Sequence, residues 1–256
     1  MYPILFRLGG LNIYAYGFFL ILGLVVAGIL AILKVRKEGL HIPFERVADL
    51  FFYTVLSALI GSRILFVLIN FDAYRENPLQ ILKIWEGGLV FYGGLILAIG
   101  VSIGYMHWYR LPIWKLFDLV SPLIALGLFF GRIGCFFAGC CYGKETSLPW
   151  GVIFTTPNSL ARLNVPLHPT QLYDAANALA VFLFLTWKEK RKAFDGQISF
   201  LFLLFYSTTR FFIEMLRGDP RGFLFQDLLS TSQGIGIFLA ILSIFMLFFL
   251  KKRYGR

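Results

Sequence analysis

Seven long apolar runs constrain the fold of this chain more than any other feature. A helix needs about 20 apolar residues to cross a bilayer, and a helix satisfies its own backbone hydrogen bonds there. The runs are Ile13–Leu33, Val47–Ile69, Leu89–Trp108, Leu116–Phe130, Leu172–Thr186, Ile198–Leu216 and Gly234–Leu250. They predict an all-α integral membrane protein, a bundle of seven transmembrane helices. The first run is long enough to span the membrane rather than act as a cleaved signal.

Composition agrees with a membrane protein and argues against a nucleic-acid partner. The chain is 58% hydrophobic and only 15% charged, with a formal net charge of +10. Its basic residues cluster beside apolar runs, which is typical of cytoplasmic loops rather than of a nucleic-acid surface. Because no Ser/Gly-rich linker and no internal repeat interrupts the chain, we expect one transmembrane domain over residues 1–256.

The distribution of Lys and Arg predicts the orientation. The segments after the first, third and fifth runs and the C-terminal segment together hold fourteen of these residues, whereas the alternate segments hold eight over greater lengths. The positive-inside rule therefore predicts an N-terminus outside and a cytoplasmic C-terminus. The segment Pro78–Trp85 is expected to be an interfacial helix with Trp85 as its anchor.

Two arginines, Arg63 and Arg210, fall inside predicted membrane helices. A charge at the bilayer centre costs at least about 2.5–3.5 kcal/mol, so such residues usually face a partner or a polar cavity. Arg63 is read as a structural residue that could pair with Asp49 or Asp118. Arg210 has polar neighbours on its own helix, which favours a functional role.

Unusual polar and glycine residues gather at the predicted outer ends of five segments. They are Tyr14, Tyr16, Glu86, Gly87, Gly88, Tyr92, Gly93, Gly94, Gly131, Arg132, Gly134, His168, Gln171, Tyr173, Tyr206, Arg210, Glu214 and Arg217. Guanidinium groups bind phosphate oxygens at two points, and glycine lets backbone N–H groups approach an anion. The pattern predicts a cationic pocket for an anionic lipid, and a polar seam between packed helices is the alternative.

Tyr206, Arg210, Glu214 and Arg217 recur at a spacing that places them on one face of a single helix. His168 precedes Pro169 at the start of the fifth predicted helix, where a histidine is either structural or able to exchange protons near neutral pH.

The three cysteines, Cys135, Cys140 and Cys141, lie close together in the sequence. Their spacing matches no established zinc pattern, so small apolar packing is the default interpretation. A disulfide or a reactive thiol stays open as an alternative, since the predicted topology places them near an oxidising compartment.

Several of these segments together resemble the bacterial prolipoprotein diacylglyceryl transferase family. The resemblance rests on His168-Pro-Thr-Gln-Leu-Tyr173, Gly131-Arg-Ile-Gly134 with Gly139 and Gly143, Trp85-Glu-Gly-Gly88 with Gly93-Gly-Leu95, Tyr14-Ala-Tyr-Gly17, and Arg210-Phe-Phe-Ile-Glu214 with Arg217. These motifs stand in the family's order and cover most of the chain. The family also has seven helices, an outside N-terminus and a cytoplasmic C-terminus.

The resemblance implies transfer of the diacylglyceryl group from phosphatidylglycerol to the lipobox cysteine thiol of a prolipoprotein signal peptide. It implies a multi-pass protein of the bacterial inner membrane that works at the outer face, among membrane lipids, without metal or cofactor. Arg132 and Arg210 match the family's key arginines. Tyr92 and His168 are further catalytic candidates, and the substrate-binding candidates are Tyr16, Gly93, Gly94, Cys135, Cys140, Gly143, Tyr206, Glu214 and Arg217.

This chain departs from the family pattern at four positions. Tyr92 replaces the usual histidine, Cys135 an asparagine, Cys140 a glutamate, and Asp174 a glutamate. A lipid transferase with another acceptor or donor therefore remains an alternative. From a different functional class, the alternatives are a transporter and a non-catalytic protein that binds anionic lipid.

Overall fold

The structure, a computed structural model, describes residues 2–8, 11–37, 42–75, 77–84, 87–157, 159–219, 222–224 and 229–254. Trp85, the predicted interfacial anchor, and Glu86 lie outside the described residues. The described part is mostly helical, which confirms the predicted fold class.

Eight α-helices are present among the described residues. They are α1 Ala15–Lys37, α2 Phe44–Ile69, α3 Phe71–Arg75, α4 Phe91–Trp108, α5 Ile113–Ala138, α6 Thr170–Glu189, α7 Gln197–Met215 and α8 Thr231–Tyr254. A 3₁₀ helix at Pro78–Leu82 occupies most of the predicted interfacial segment. Each of the seven apolar runs thus overlaps one of the long helices.

Six of the described helices are long and apolar enough to cross a membrane: α1, α2, α4, α5, α7 and α8. The chain is therefore a multi-pass membrane protein. The remaining long helix, α6, has 20 residues, and its buried face carries Thr170, Gln171 and Asp174. A helix packed among other helices needs less apolar surface than one that faces lipid. The seven-span count stays a prediction.

Three short hairpins complete the regular structure. Strand β1 (Ile4–Leu8) pairs with β2 (Leu11–Tyr14), β3 (Val152–Ile153) with β4 (Pro166–Leu167), and β5 (Phe223–Leu224) with β6 (Leu229–Ser230), all antiparallel. Tyr14, predicted to open the first helix, is the last residue of β2 instead.

Close contacts divide the chain into two units, Met1–Lys34 with Phe117–Arg256, and Val35–Leu116. The core of the first unit joins α5, α6 and α7 through Ala125, Val181, Leu185, Ile198 and Phe202, all buried. The prediction of one domain is not tested by this division and stays a prediction.

Helix α5 is longer than predicted. The apolar run ends at Phe130 because Gly131, Arg132 and Gly134 follow it, but the helix continues to Ala138. The helix tolerates Arg132 because this guanidinium has a carboxylate partner on α6. The Gly-Arg-Ile-Gly motif therefore lies inside a helix rather than at its end.

At its other end, α5 is tied to the start of α7. Asp118 accepts hydrogen bonds from the backbone N–H groups of Gly196 and Ser199 at 2.8 and 2.9 Å. Lys192 forms ion pairs with Asp118 at 3.5 Å and with Asp195 at 2.9 Å. Burial lowers the pKa of Lys192, but the hydrogen bond to Asp195 and the charge of Asp118 outweigh it, so this pKa is raised overall.

In the second unit, α2 and α4 pack closely through glycine. A Cβ on Gly61 would lie 2.7 Å from the Cβ of Leu97, and a Cβ on Gly94 would lie 2.6 Å from the carbonyl oxygen of Ala58. Neither distance leaves room for a side chain.

Arg63 of α2 is buried and binds backbone rather than a carboxylate. Its guanidinium donates to five carbonyl oxygens at 2.7–3.3 Å, those of Gln80, Ile81, Lys83, Gly87 and Gly88. The left-handed conformation of Gly87 and Gly88, with φ of 91° and 75°, suits glycine there. The possible pairing with Asp49 is not found among the described residues, whereas the structural role expected for Arg63 agrees with its contacts.

Candidate active site

The centre of the candidate site is the carboxylate of Asp174, in the second turn of α6. Its Oδ2 lies 2.8 Å from Nη1 of Arg210, 3.3 Å from Nη1 of Arg132 and 3.7 Å from Nη1 of Arg217. The Asp174 side chain is only 3% exposed. One oxygen atom therefore faces three guanidinium groups that come from α5, α7 and the segment after α7.

Arg210 and Glu214 lie one turn apart on α7 and form a second ion pair. Nη2 of Arg210 is 2.7 Å from Oε2 of Glu214, and the Ser230 hydroxyl donates to Oε1 of Glu214 at 3.3 Å. Arg210 is thus held from both sides by carboxylates. This pair agrees with the helical spacing seen in the sequence.

Arg217 lies two residues beyond the end of α7 and binds Asp219 at two points. Its Nε and Nη2 donate to Oδ1 and Oδ2 of Asp219 at 2.9 and 3.0 Å. Burial lowers the pKa of Arg217, but the hydrogen bond to Asp219 and the charge of Cys141 raise it overall. The guanidinium is therefore charged at every physiological pH.

The charges of this cluster balance, but their accessibility differs. Three guanidinium groups face the carboxylates of Asp174, Glu214 and Asp219. The side chains of Arg132, Arg210 and Arg217 are 18%, 10% and 2% exposed. Arg132 is the most accessible cation of the three, and Arg217 is enclosed. An anion that reaches the cluster would meet Arg132 most readily.

Gly143 joins three segments of the site. Its N–H donates to the carbonyl of His168 at 2.9 Å, while Lys144 N–H donates to the carbonyl of Leu216 at 2.8 Å. A Cβ on Gly143 would lie 2.6 Å from the His168 carbonyl oxygen and 2.9 Å from that of Leu216. Only glycine fits, and the close approach fixes the segment that carries Arg217 against the start of α6.

The imidazole of His168 lies beside the ring of Tyr173. His168 Nδ1 is 3.4 Å from the Tyr173 hydroxyl, which also accepts a hydrogen bond from Nε1 of Trp150 at 2.8 Å. His168 therefore has a polar partner on α6. Its catalytic role stays a prediction.

The three cysteines converge where α5 ends. All three are free thiols, and Cys135 is buried. The hydroxyl of Thr170 donates to the Cys141 carbonyl and the Gln171 amide to the Cys140 carbonyl, both at 2.8 Å. Hydrogen bonds from the thiols of Cys135 and Cys140 lower the pKa of Cys141, and the charge of Arg217 adds to this effect.

Two predicted binding residues, Tyr16 and Tyr206, belong to the same unit. Gly134 of α5 lies against the backbone of Tyr16, since a Cβ on Gly134 would be 3.1 Å from the Tyr16 Cα. Tyr16 is 45% exposed. Tyr206 stacks on Phe202 of the same helix, with ring centroids 5.8 Å apart.

Tyr92, Gly93 and Gly94 belong to the first turn of α4, in the other unit, and Tyr92 is 37% exposed. The N–H groups of Gly93 and Gly94 donate to the carbonyl of Val90 at 3.1 and 3.5 Å. Packing of α2 on α4 explains the absence of side chains at both glycines. Their predicted role in substrate binding stays a prediction.

Asp174 and Asp219 are the residues that sequence reasoning missed. Asp174 was noted only as a departure from the family pattern, although it holds the three arginines. A buried carboxylate requires a cation, and the arginines on neighbouring segments require an anion. That mutual need was the signal available in the sequence.

Comparison with known proteins identifies the family of this chain. The family model described as prolipoprotein diacylglyceryl transferase matches residues 3–249. A phosphatidylglycerol–prolipoprotein diacylglyceryl transferase of Clostridium tetani is 38% identical over 249 residues, 96% of each chain. A second from Clostridium perfringens is 38% identical over 96% of this chain and 94% of its own.

A more distant relative carries the same name. It comes from Bordetella parapertussis and is 34% identical over 93% of this chain and 90% of its own. The matches include the segments that carry the arginine cluster. This chain therefore belongs to the prolipoprotein diacylglyceryl transferase family.

Proposed function

We propose that this chain transfers the diacylglyceryl group of phosphatidylglycerol to the thiol of a lipobox cysteine in prolipoproteins. A carbon–sulfur bond forms, the bond between the diacylglyceryl carbon and the phosphate oxygen breaks, and glycerol phosphate leaves. The observation that carries this proposal is the set of three arginines around Asp174, of which Arg132 is the most accessible.

The arginine cluster suits the departing phosphate. Charge develops on the leaving oxygen in the transition state, and fixed cations in a low-dielectric site stabilise it strongly. Asp174, Glu214 and Asp219 hold the guanidinium groups in place before the lipid arrives, so little reorganisation is needed. Arg132 contacts the phosphate, and Arg210 adds a second positive charge near it. The enclosed Arg217 acts as a positioning residue.

The acceptor thiol must lose its proton during the reaction. A free thiol has a pKa of about 8.5, and nearby cations lower such a value. The arginines therefore assist the acceptor as well as the leaving group. His168 is proposed to take the proton, since imidazole exchanges protons near neutral pH. The Tyr92 hydroxyl is proposed to donate a hydrogen bond to an oxygen of the lipid.

A shallow apolar groove at the end of β2 and along one face of α1 supports a lipid donor. It is lined by Ile13, Tyr14, Gly17, Phe18, Ile21, Leu22 and Val25. The start of α1 packs on Gly134 of α5, two residues from Arg132. An acyl chain in the groove would leave its headgroup near the end of α1 that adjoins Arg132. Burial of each methylene contributes about 0.8 kcal/mol.

The chain is further proposed to lie in the bacterial inner membrane as one seven-span domain. Its N-terminus would be outside and its C-terminus cytoplasmic, so α6 would be the additional span. The fourteen basic residues of the predicted cytoplasmic segments support this orientation. Reporter fusions to the C-terminus should report the cytoplasm, and a periplasmic signal would overturn the orientation.

Purified protein in mixed micelles tests the reaction. With phosphatidylglycerol and a lipobox peptide, we expect a peptide whose mass rises by one diacylglyceryl group, together with released glycerol phosphate. Phosphatidylethanolamine in place of the donor, and a peptide with serine in place of its cysteine, are the matched controls. Transfer to the serine peptide at an equal rate would identify a different acceptor chemistry.

A further inference from the structure

The three cysteines form a compact cluster at the end of α5. Cys135 lies in the last turn of the helix, and the chain then reverses at Gly139 so that Cys140 and Cys141 return beside it. The three Sγ atoms lie within 4.8 Å of one another. These are the only cysteines in the sequence.

The turn that brings the thiols together is built into the fold. Cys141 has φ of 63°, a left-handed conformation that a side chain other than glycine rarely adopts. Two fully buried residues at the start of α6 hold this turn by binding the carbonyls of Cys140 and Cys141, namely Gln171 and Thr170. A strained residue that is held by its surroundings is typical of a functional site.

The spacing of the sulfur atoms suits a metal ion with thiolate ligands. A zinc–sulfur bond of about 2.3 Å places three thiolates about 3.8–4.0 Å apart in tetrahedral or trigonal geometry. The observed cluster needs to contract by less than about 1 Å to reach that geometry. Arg132 and Arg217 lie near Cys141, and their charges offset the negative charge of a three-thiolate site.

We propose that Cys135, Cys140 and Cys141 bind one thiophilic d10 cation, of the class of Zn²⁺, Cd²⁺ or Cu⁺. Three S–H bonds release their protons to solvent and three metal–sulfur bonds form, with no change of oxidation state. Thiolate ligands select such soft cations over Mg²⁺ or Ca²⁺. The bound ion would fasten the end of α5 to the turn that follows. This proposal does not depend on the lipid-transfer reaction.

Metal binding to the fully reduced, full-length protein in detergent is the test. Equilibrium dialysis against Cd²⁺, Zn²⁺ and, without oxygen, Cu⁺ should give one ion per chain for at least one of the three. Excess Mg²⁺ should not displace it, and the bound ion should raise the thermal unfolding midpoint. Each of Cys135→Ser, Cys140→Ser and Cys141→Ser should weaken binding at least about 100-fold. His107→Ala, which changes a histidine of α4, should leave binding unchanged.

Alkylation of the wild-type protein gives a second readout that needs no variant. A bound ion should protect all three cysteines, which peptide mass spectrometry resolves one by one. Absence of stoichiometric binding to the reduced chain, or equal binding after loss of any one thiol, would overturn the proposal. So would a cysteine that stays as reactive with the metal as without it.

Discussion

Oδ2 of Asp174 lies 2.8 Å from Nη1 of Arg210, in a buried contact between α6 and α7 of the first unit. The same oxygen faces Arg132 and Arg217, so one buried carboxylate organises every arginine of the candidate site. Its Oδ1 is buried without a hydrogen-bond partner among the described residues. Asp174 is thus the residue on which the cluster depends most.

Replacement of Asp174 by asparagine removes the negative charge of the side chain and keeps its size. Asp174→Asn leaves three guanidinium groups without their shared anion, and removing one partner of a buried pair costs about 3–5 kcal/mol. We expect a lower thermal unfolding midpoint and loss of most transfer activity. Asp174→Glu keeps the negative charge and introduces the family's usual residue. We expect this variant to stay active.

Asp118→Asn is the matched control for this experiment. Asp118 is equally buried and also holds a cation, Lys192, but it lies at the other end of α5. We expect comparable destabilisation with normal transfer per folded molecule. Equal loss of specific activity in both variants would show that Asp174 acts only through stability.

Gly143→Ala should disturb the site through the backbone. Its methyl group would overlap the carbonyls of His168 and Leu216, so the segment that carries Arg217 must shift. Such overpacking typically costs about 1–3 kcal/mol. We expect a lower unfolding midpoint and at least about tenfold slower transfer. Gly127→Ala, on α5 with open space at its Cβ, should be neutral by both measurements.

The cysteines of this chain should not form a covalent intermediate with the lipid. The acceptor thiol belongs to the substrate, so a single displacement is sufficient. A chain with Cys135, Cys140 and Cys141 all replaced by serine should keep measurable transfer, although it is slower. Complete loss of transfer in a stably folded triple variant, together with a lipid adduct trapped on the wild type, contradicts this prediction.

Variants of Tyr92 test whether the position of the family's usual histidine donates a hydrogen bond or serves as a base. If that position only donates a hydrogen bond to the lipid, Tyr92→Phe should lose about 1.5–3 kcal/mol of transition-state stabilisation. Tyr92→His should stay active. Both variants and the wild type are compared for transfer to a lipobox peptide. An inactive wild type beside an active Tyr92→His variant would show that the position serves as a base.

Sequence patterns predicted the helices well because membrane helices are defined by long apolar runs. The starts and ends of α2, α4 and α7 fall within three residues of the predicted runs. The predicted end of α5 was wrong, because polar residues within a helix resemble a helix end when their partners are unknown. Asp174, which allows Arg132 to lie inside a helix, is 42 residues further along the chain and cannot be recognised as its partner from local sequence.

Within the candidate site, the contacts inside one helix were predicted from the sequence, whereas those made through turns were not. Arg210 and Glu214 were found because one turn of helix separates them, and the structure pairs them. Asp219 was missed because a turn outside the helices brings it to Arg217. The left-handed conformation of Cys141 has no signal in its sequence, since such a turn usually requires glycine. The five backbone carbonyl partners of Arg63 could not be predicted, because they depend on the path of a loop.

Transfer by Arg132→Ala, compared with transfer by Arg162→Ala, tests whether Arg132 stabilises the departing phosphate. Arg132 faces the site, whereas Arg162 forms an exposed ion pair with Glu145 and is 62% exposed. Loss of one charge-stabilising donor corresponds to about 2.7–4 kcal/mol, or about 10²–10³-fold in turnover. We expect that loss for Arg132→Ala and Arg210→Ala, poor rescue by Arg132→Lys, and normal turnover for Arg162→Ala. Near-normal turnover by folded Arg132→Ala would contradict a role of Arg132 in stabilising the phosphate.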